Sequence, residues 1–244
     1  MWLALAALVA AEGVAGAAVV YRIDFERTLS ESSGSPGTSA ITQSGWTSSA
    51  ANNNAPTTTT TVPTPAGVTV TAGGAGGYFQ GRGGGTWGTV SVTDADWDDV
   101  VGDTIAARGG DGTVTISFTG LNTALDYTFT AWHNVSATDS PSFSAGFYTI
   151  TPTITTGTLV GLATAGAASN IDKNAIGVVA ADFSNSVITF TPDGSGNATV
   201  LLTSASASQF LTLGGMELVS VPEPSSMVLM LGGTMVALVR RRRS

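Results

Sequence analysis

The chain contains no cysteine. That absence removes disulfides, thiolate nucleophiles and cysteine-ligated metals together, and it leaves the redox compartment unread. Histidine is nearly absent too, with His133 the one copy among 244 residues. No G-x-S-x-G elbow accompanies it, so a serine hydrolase of that design is not encoded, and a metal site would have to be built without Cys or a second His. His133 follows Trp132 at the end of a predicted strand and reads as an ordinary surface or loop residue. Charge is scarce at 11% of residues, and no stretch of the body keeps the 3.6-residue apolar period of an amphipathic helix.

The few charges are unevenly placed. Nine Lys and Arg stand against 17 Asp and Glu, but four of the nine lie in the last five positions. Between residues 19 and 221 five basic residues face 15 acids. A surface of that sign repels phosphate backbones, which excludes nucleic acid as a partner. The length suits one domain with tails and is enough to bury a core without covalent staples.

Both ends carry apolar runs. Residues 2–11 are apolar, too short to span a bilayer and right for the h-region of a signal peptide, and Ala15-Gly16-Ala17 offers an A-x-A-like cleavage site. A signal peptide over residues 1–18 is therefore expected. No basic residue precedes the run and Glu12 lies within the segment, features that suit a buried first helix instead. At the other end, residues 225–239 hold no charge. A helix of that length covers roughly 22 Å, short of the ~30 Å hydrocarbon core but within reach of snorkelling arginines. Arg240, Arg241, Arg242 and Arg243 follow directly and set the direction, since clustered positive charge stays on the cytoplasmic side. The expected topology puts the body outside the cytoplasm.

Val221-Pro222-Glu223-Pro224-Ser225, the apolar run and the arginine tail, in that order, resemble the PEP-CTERM sorting signal of exported bacterial proteins. The resemblance covers residues 221–244. It implies a membrane-embedded exosortase as processing partner, anchorage through a C-terminal transmembrane helix before processing, and bacteria that make exopolysaccharide. The two prolines around Glu223 independently keep a helix from running through, so the segment should be extended where a processing enzyme would bind it.

Within the remaining domain, residues 19–220, low complexity fills positions 30–88, and runs of Ser, Thr, Gly and Pro predict long loops or linker there. The Pro-bounded stretch 56–65 also reads as an O-glycosylation target in an exported protein. From about residue 86 the apolar period becomes two. Val114, Ile116 and Phe118 alternate with Thr and Ser. Leu125, Tyr127, Phe129 and Ala131 take one face of the next strand, with Thr128, Thr130 and Trp132 on the other. LNTALD reads as the turn joining these as antiparallel partners. FYTITPTI, TLVGLAT, AIGVVAADF, SVITFTP, ATVLLTSA and FLTLGGMELVSV read as further strands, with Asp193-Gly194-Ser195-Gly196 as a turn. The expected fold is all-β, an antiparallel two-sheet sandwich, with the first strand beside the last. The element order resembles the jelly-roll modules of PEP-CTERM proteins, which look like carbohydrate-binding sandwiches.

Candidate chemistry is thin. Asp94, Asp96 and Asp98 open an acidic stretch that reaches Asp111, spaced to suit a structural Ca²⁺ but failing as an EF-hand, because the Gly and Glu positions are Asp99 and Ile105. A solvated acidic loop is the plain alternative, and two of these carboxylates acting as a glycosidase pair is the enzymatic one. Gly81-Arg82-Gly83-Gly84-Gly85 lacks the Lys-Ser/Thr ending of a phosphate loop. Trp87, Trp97, Trp132 and Tyr148 are available to stack on sugar rings, and Trp132 becomes a platform if its face is exposed. The expectation is an exported, non-enzymatic envelope or matrix protein without cofactors, with polysaccharide as candidate ligand. A carbohydrate-active hydrolase and a purely structural or adhesive surface protein are the alternatives.

Overall fold

A computed structural model describes residues 18–27, 45–51, 57–61, 67–72, 78–83, 103–108, 113–136, 149–167, 169–171, 184–204 and 211–221. Their regular elements are all strands: β1 Ala18–Arg27, β2 Thr47–Ala51, β3 Thr57–Thr61, β4 Gly67–Ala72, β5 Tyr78–Gly83, β6 Asp103–Arg108, β7 Thr113–Thr119, β8 Asp126–Ser136, β9 Thr149–Thr156, β10 Thr158–Leu159, β11 Gly166–Ala167, β12 Ser169–Ile171, β13 Ser184–Thr191, β14 Ala198–Ser204, β15 Leu211–Leu213 and β16 Gly215–Val221. No helix occurs among the described residues.

Two large sheets face each other. The first runs β10-β13-β8-β16-β1-β2, with β12 attached to β8, and the second runs β11-β9-β14-β7-β4-β3. Pairing is antiparallel except for β1 with β2 and β12 with β8. The period-two pattern is what makes this a sandwich. In β7, Val114, Ile116 and Phe118 are buried while Thr113, Thr115 and Ser117 stay partly exposed. Phe118 of the second sheet meets Phe129 edge-on at 5.7 Å and stacks on Phe190 at 5.8 Å, both from the first sheet. Tyr127 stacks in turn on Phe190. Offset and edge-on aromatic contacts of this kind add roughly 0.5–1.5 kcal/mol each beyond the area they bury.

The expected all-strand architecture is present, and so is the pairing of first and last strands: β1 and β16 lie antiparallel with Ala18 opposite Ser220. Five details differ from the sequence-based expectation. LNTALD does not join hairpin partners, because β7 belongs to the second sheet and β8 to the first. The Tyr127 hydroxyl accepts a hydrogen bond from the Asn122 N–H at 2.9 Å and Leu121 N–H donates to Gly196 carbonyl, so this arch is pinned where it crosses between layers. The neighbouring arch, at Asp193-Gly194-Ser195-Gly196, is likewise a crossing from β13 to β14. Gly196 holds φ 76° there, and a Cβ would sit 2.4 Å from the Leu121 carbonyl oxygen.

FLTLGGMELVSV is two strands, β15 and β16, broken at Gly214, whose carbonyl accepts from Phe25 N–H and whose N–H donates to Trp132 carbonyl. β15 joins a third sheet, β15-β6-β5, that the periodicity did not announce. Leu211 and Leu213 carry its apolar side into the common core. Residues 30–88, expected to be mostly loop or linker, also hold strands. β2, β3, β4 and β5 fall within them, and the threonine run 57–61 is an edge strand paired with β4. β-Branched residues favour extended backbone, and an edge needs only one neighbour. TLVGLAT contracts to the two-residue β10 and a bridge between Thr164 and Val187, while AIGVVAADF lies outside the described residues.

Candidate functional site

The sorting motif meets the fold at the end of β16. This strand sits between β8 and β1, the two neighbours holding it through Val221 opposite Asp126 and Ser220 opposite Ala18. Its inward residues Met216 and Leu218 are fully buried. On the other face Arg22 Nε forms an ion pair with Glu217 Oε2 across the β1–β16 ladder. The Ser220 hydroxyl donates to the Ala18 carbonyl at 3.2 Å. Asp126, at the start of β8, accepts from the Thr191 hydroxyl at 2.6 Å. The strand ends at Val221 because Pro222 has no N–H to continue a ladder. The beginning of β1 and the end of β16 therefore leave the first sheet side by side.

A second cluster lies on the outward face of the same sheet. Asp24, Gly215, Trp132 and Asn185 form one row across β1, β16, β8 and β13. Trp46, just before β2, lies over this row: its ring centroid is 5.5 Å from that of Trp132, and a Cβ on Gly215 would meet Trp46 Cζ3 at 2.6 Å. Arg22 stands 5.9 Å from the Trp46 centroid. Trp132 does point away from Phe129, as expected, but it is 5% exposed. Its face is already occupied by Trp46, so it is a packed side chain and no open platform for a sugar ring.

His133 is also not where it was expected. It is fully buried, with Nδ1 2.7 Å from the Thr212 carbonyl oxygen and Nε2 2.8 Å from Ser186 Oγ. A carbonyl only accepts, so Nδ1 carries the proton and Nε2 receives the Ser186 hydroxyl. The Ser186 hydroxyl also donates to the Ile150 carbonyl at 3.2 Å, its single proton shared between that oxygen and Nε2. Thr212, His133, Ser186 and Ile150 belong to β15, β8, β13 and β9, and the chain thus ties all three sheets together. Burial drives the His133 pKa from 6.5 down to about 4, against the smaller opposing effect of the Thr212 carbonyl. This serine–histidine pair has a nucleophile-to-base distance, but both groups are fully buried. Its orienting partner is a carbonyl instead of a carboxylate, and the pair works as a clasp.

The outward face of the second sheet is different in kind. Thr69 and Thr71 of β4, Thr113, Thr115, Ser117 and Thr119 of β7, Thr199 and Thr203 of β14, and Thr149, Thr151, Thr153 and Thr155 of β9 face solvent, interrupted by Leu201. Thr153, Thr155 and Thr203 turn their hydroxyls to cross-strand carbonyls at 3.3 Å. Among the described residues the face carries hydroxyls and methyls and no charge.

Trp87, Trp97, Tyr148, Asp94, Asp96 and Asp98 lie outside the described residues, as do Pro222, Glu223, Pro224, Ser225, Arg240, Arg241, Arg242 and Arg243, residues 1–17 of the expected signal peptide and the apolar run 225–239. Among the described residues no group of three or more His, Asp or Glu is placed to hold a metal. Among them, too, no helix is long and apolar enough to cross a membrane. Trp46, an isolated aromatic beside Gly45 in the low-complexity stretch, reads from the sequence as a side chain that tucks a loop onto the body, and it does so here over Trp132 and Gly215. The His133 clasp was missed by sequence reasoning.

Residues 220–243 match the family model of the PEP-CTERM protein-sorting motif. No curated protein and no solved structure matches the chain.

Proposed function

We propose that this chain is an exported β-sandwich protein of the cell envelope or extracellular matrix, delivered through its C-terminal PEP-CTERM signal and processed there by an exosortase-type membrane enzyme. The match of residues 220–243 to the sorting motif carries this reading. Before processing, the apolar run 225–239 anchors the chain and the arginine tail stays on the cytoplasmic side. Residues 1–18 act as the signal peptide. The strand orders β1-β16-β8-β13 and β7-β14-β9-β11 support a jelly-roll description of the body, since chain neighbours alternate between the layers.

The body acts without catalysis and takes neutral polysaccharide as its ligand. The buried state of Trp132 moves the candidate surface away from the aromatics of the first sheet, and the uncharged threonine face of the second supports a neutral, hydroxyl-bearing polymer over a charged one. A structural Ca²⁺ at Asp94, Asp96 and Asp98 belongs to the same proposal.

Mass spectrometry of the protein recovered from its native cells, fraction by fraction, tests the reading. The expected outcome is an envelope or extracellular species lacking residues 1–17 and the segment after the sorting motif. Full-length protein confined to the cytosol would overturn it.

A further inference from the structure

The sorting motif begins inside the fold. The family match starts at residue 220, and both Ser220 and Val221 are already paired in β16, the former with β1 and β8, the latter with β8. No residue separates the last paired position, Val221, from Pro222. An enzyme that cleaves at or beside the Pro-Glu-Pro segment takes its substrate as an extended strand, through backbone hydrogen bonds on the N-terminal side of the cut. In the folded protein those backbone groups belong to β8 and β1. β16 is also not an edge strand that peels freely. It is central in its sheet, its Leu218 is sealed in the core and its Glu217 is tied to Arg22.

We infer that strand pairing and tail processing compete for residues 217–221. The enzyme acts on chains whose β16 is still undocked, and docking of β16 between β1 and β8 closes the cleavage window. The topology gives the order a direction. β1 and β16 are far apart in sequence, and among the described residues β1 and β2 pair with the remainder of their sheet only through β16. The first sheet therefore cannot close until the residues just ahead of the membrane segment have emerged. A chain that folds before it meets the enzyme keeps its tail. This inference rests on the sorting function proposed above, and the following experiment separates the two.

Three versions of the full chain are expressed in the native cells: the wild type, a variant with eight Gly/Ser residues inserted between Val221 and Pro222, and the double substitution Pro222→Ala, Pro224→Ala. Tail loss is followed by pulse–chase, with intact masses at each time. The insertion leaves β16 and its partners unchanged while moving the motif clear of the sheet. It should release the tail from already folded protein about tenfold faster than the wild type or more, as expected when cleavage no longer waits for local opening. Equal rates for wild type and insertion would overturn the competition while leaving the sorting function standing. Tail loss from the Pro-substituted chain at the wild-type rate, or no tail loss from any version, would overturn the sorting function and the competition with it.

Discussion

The outward faces of the two large sheets present the same backbone problem and solve it oppositely. On the second sheet the outward positions of β9, β14, β7 and β4 are threonine and serine, with Leu201 and Gly67 the exceptions, and they are partly or fully exposed. On the first sheet the outward row holds a buried carboxylate, Asp24, and a tryptophan, Trp132, beneath Trp46. Alternation describes the second face well because the described side chains there are partly or fully exposed beside their strand neighbours. It fails on the first, where a segment remote in sequence supplies the cover. Period two assigns residues to faces; it does not say whether a face is the outside of the molecule.

The largest effect that separates the two is expected at Trp132. If it were a ligand platform, Trp132→Ala would cost binding and little stability. Buried under Trp46 and over β8, it should instead lower the unfolding free energy by about 3–5 kcal/mol, the usual cost of emptying a large aromatic site. Denaturant melts of the wild type and variant read this directly. A variant as stable as the parent would show that the roof is not a packed layer.

Next in size is the clasp that joins the three sheets. An unfolded chain takes up the His133 proton near 6.5, whereas the folded one resists until about 4. The unfolded state therefore binds more protons inside that window. Stability is greatest above pH 6.5, falls as pH drops through the window and levels below it, a loss of about 3 kcal/mol for the displacement. His133→Gln removes the titration, so its stability should stay flat from pH 6.5 to 4.5 while the wild type declines. Asp193 is the one other described group with a resolved displacement: its carboxylate is held below the usual 3.8 by the N–H groups of Asn197 and Ser195. Its contribution is present above that value and is lost only as pH falls beneath it, outside the compared range. Parallel pH profiles for the two proteins would contradict the clasp.

Gly215 comes third. Gly215→Ala adds one methyl at 2.6 Å from Trp46 Cζ3 and 3.2 Å from the Ile23 carbonyl oxygen, and overpacking of that order costs about 1–3 kcal/mol. Pairing it with Trp46→Ala should recover part of the loss. Thermal melts of the single and double variants measure the coupling, and strictly additive effects would place Trp46 elsewhere.

Much of the sandwich was legible from composition. The alternating stretches of β7, β8, β13 and β14 and the pairing of β1 with β16 follow from period two and from the positions of Asp193-Gly194-Ser195-Gly196 and Pro222. What was not legible has a common cause. Whether LNTALD turns within a sheet or arches between sheets depends on Gly196 abutting Leu121, a contact that no local window contains. His133 looked like a strand-end residue because its partners, Thr212 and Ser186, are 79 and 53 positions away. The run 57–61 looked like linker because threonine serves both solvated loops and edge strands, and the choice is made by β4. The sorting motif was plain for the opposite reason: its information is local and linear.

The smallest stability effect should come from the threonine face, and it is the one that bears on the ligand. Thr115 and Thr203 lie on β7 and β14, outward and partly exposed. Replacing either by lysine touches no core contact, and such surface changes usually stay within about 0.5 kcal/mol. Retention on a neutral polysaccharide gel is the decisive readout. A charged ammonium on a face that engages ligand through uncharged hydroxyls and methyls must be desolvated or displaced for the polymer to lie flat, so Thr115→Lys should lose retention while melting like the wild type. Trp132→Ala, by contrast, should lose retention only to the extent that it unfolds. If the lysine variant is retained as well as the parent, the outward face of the second sheet is a solvated surface and the ligand, where there is one, binds elsewhere.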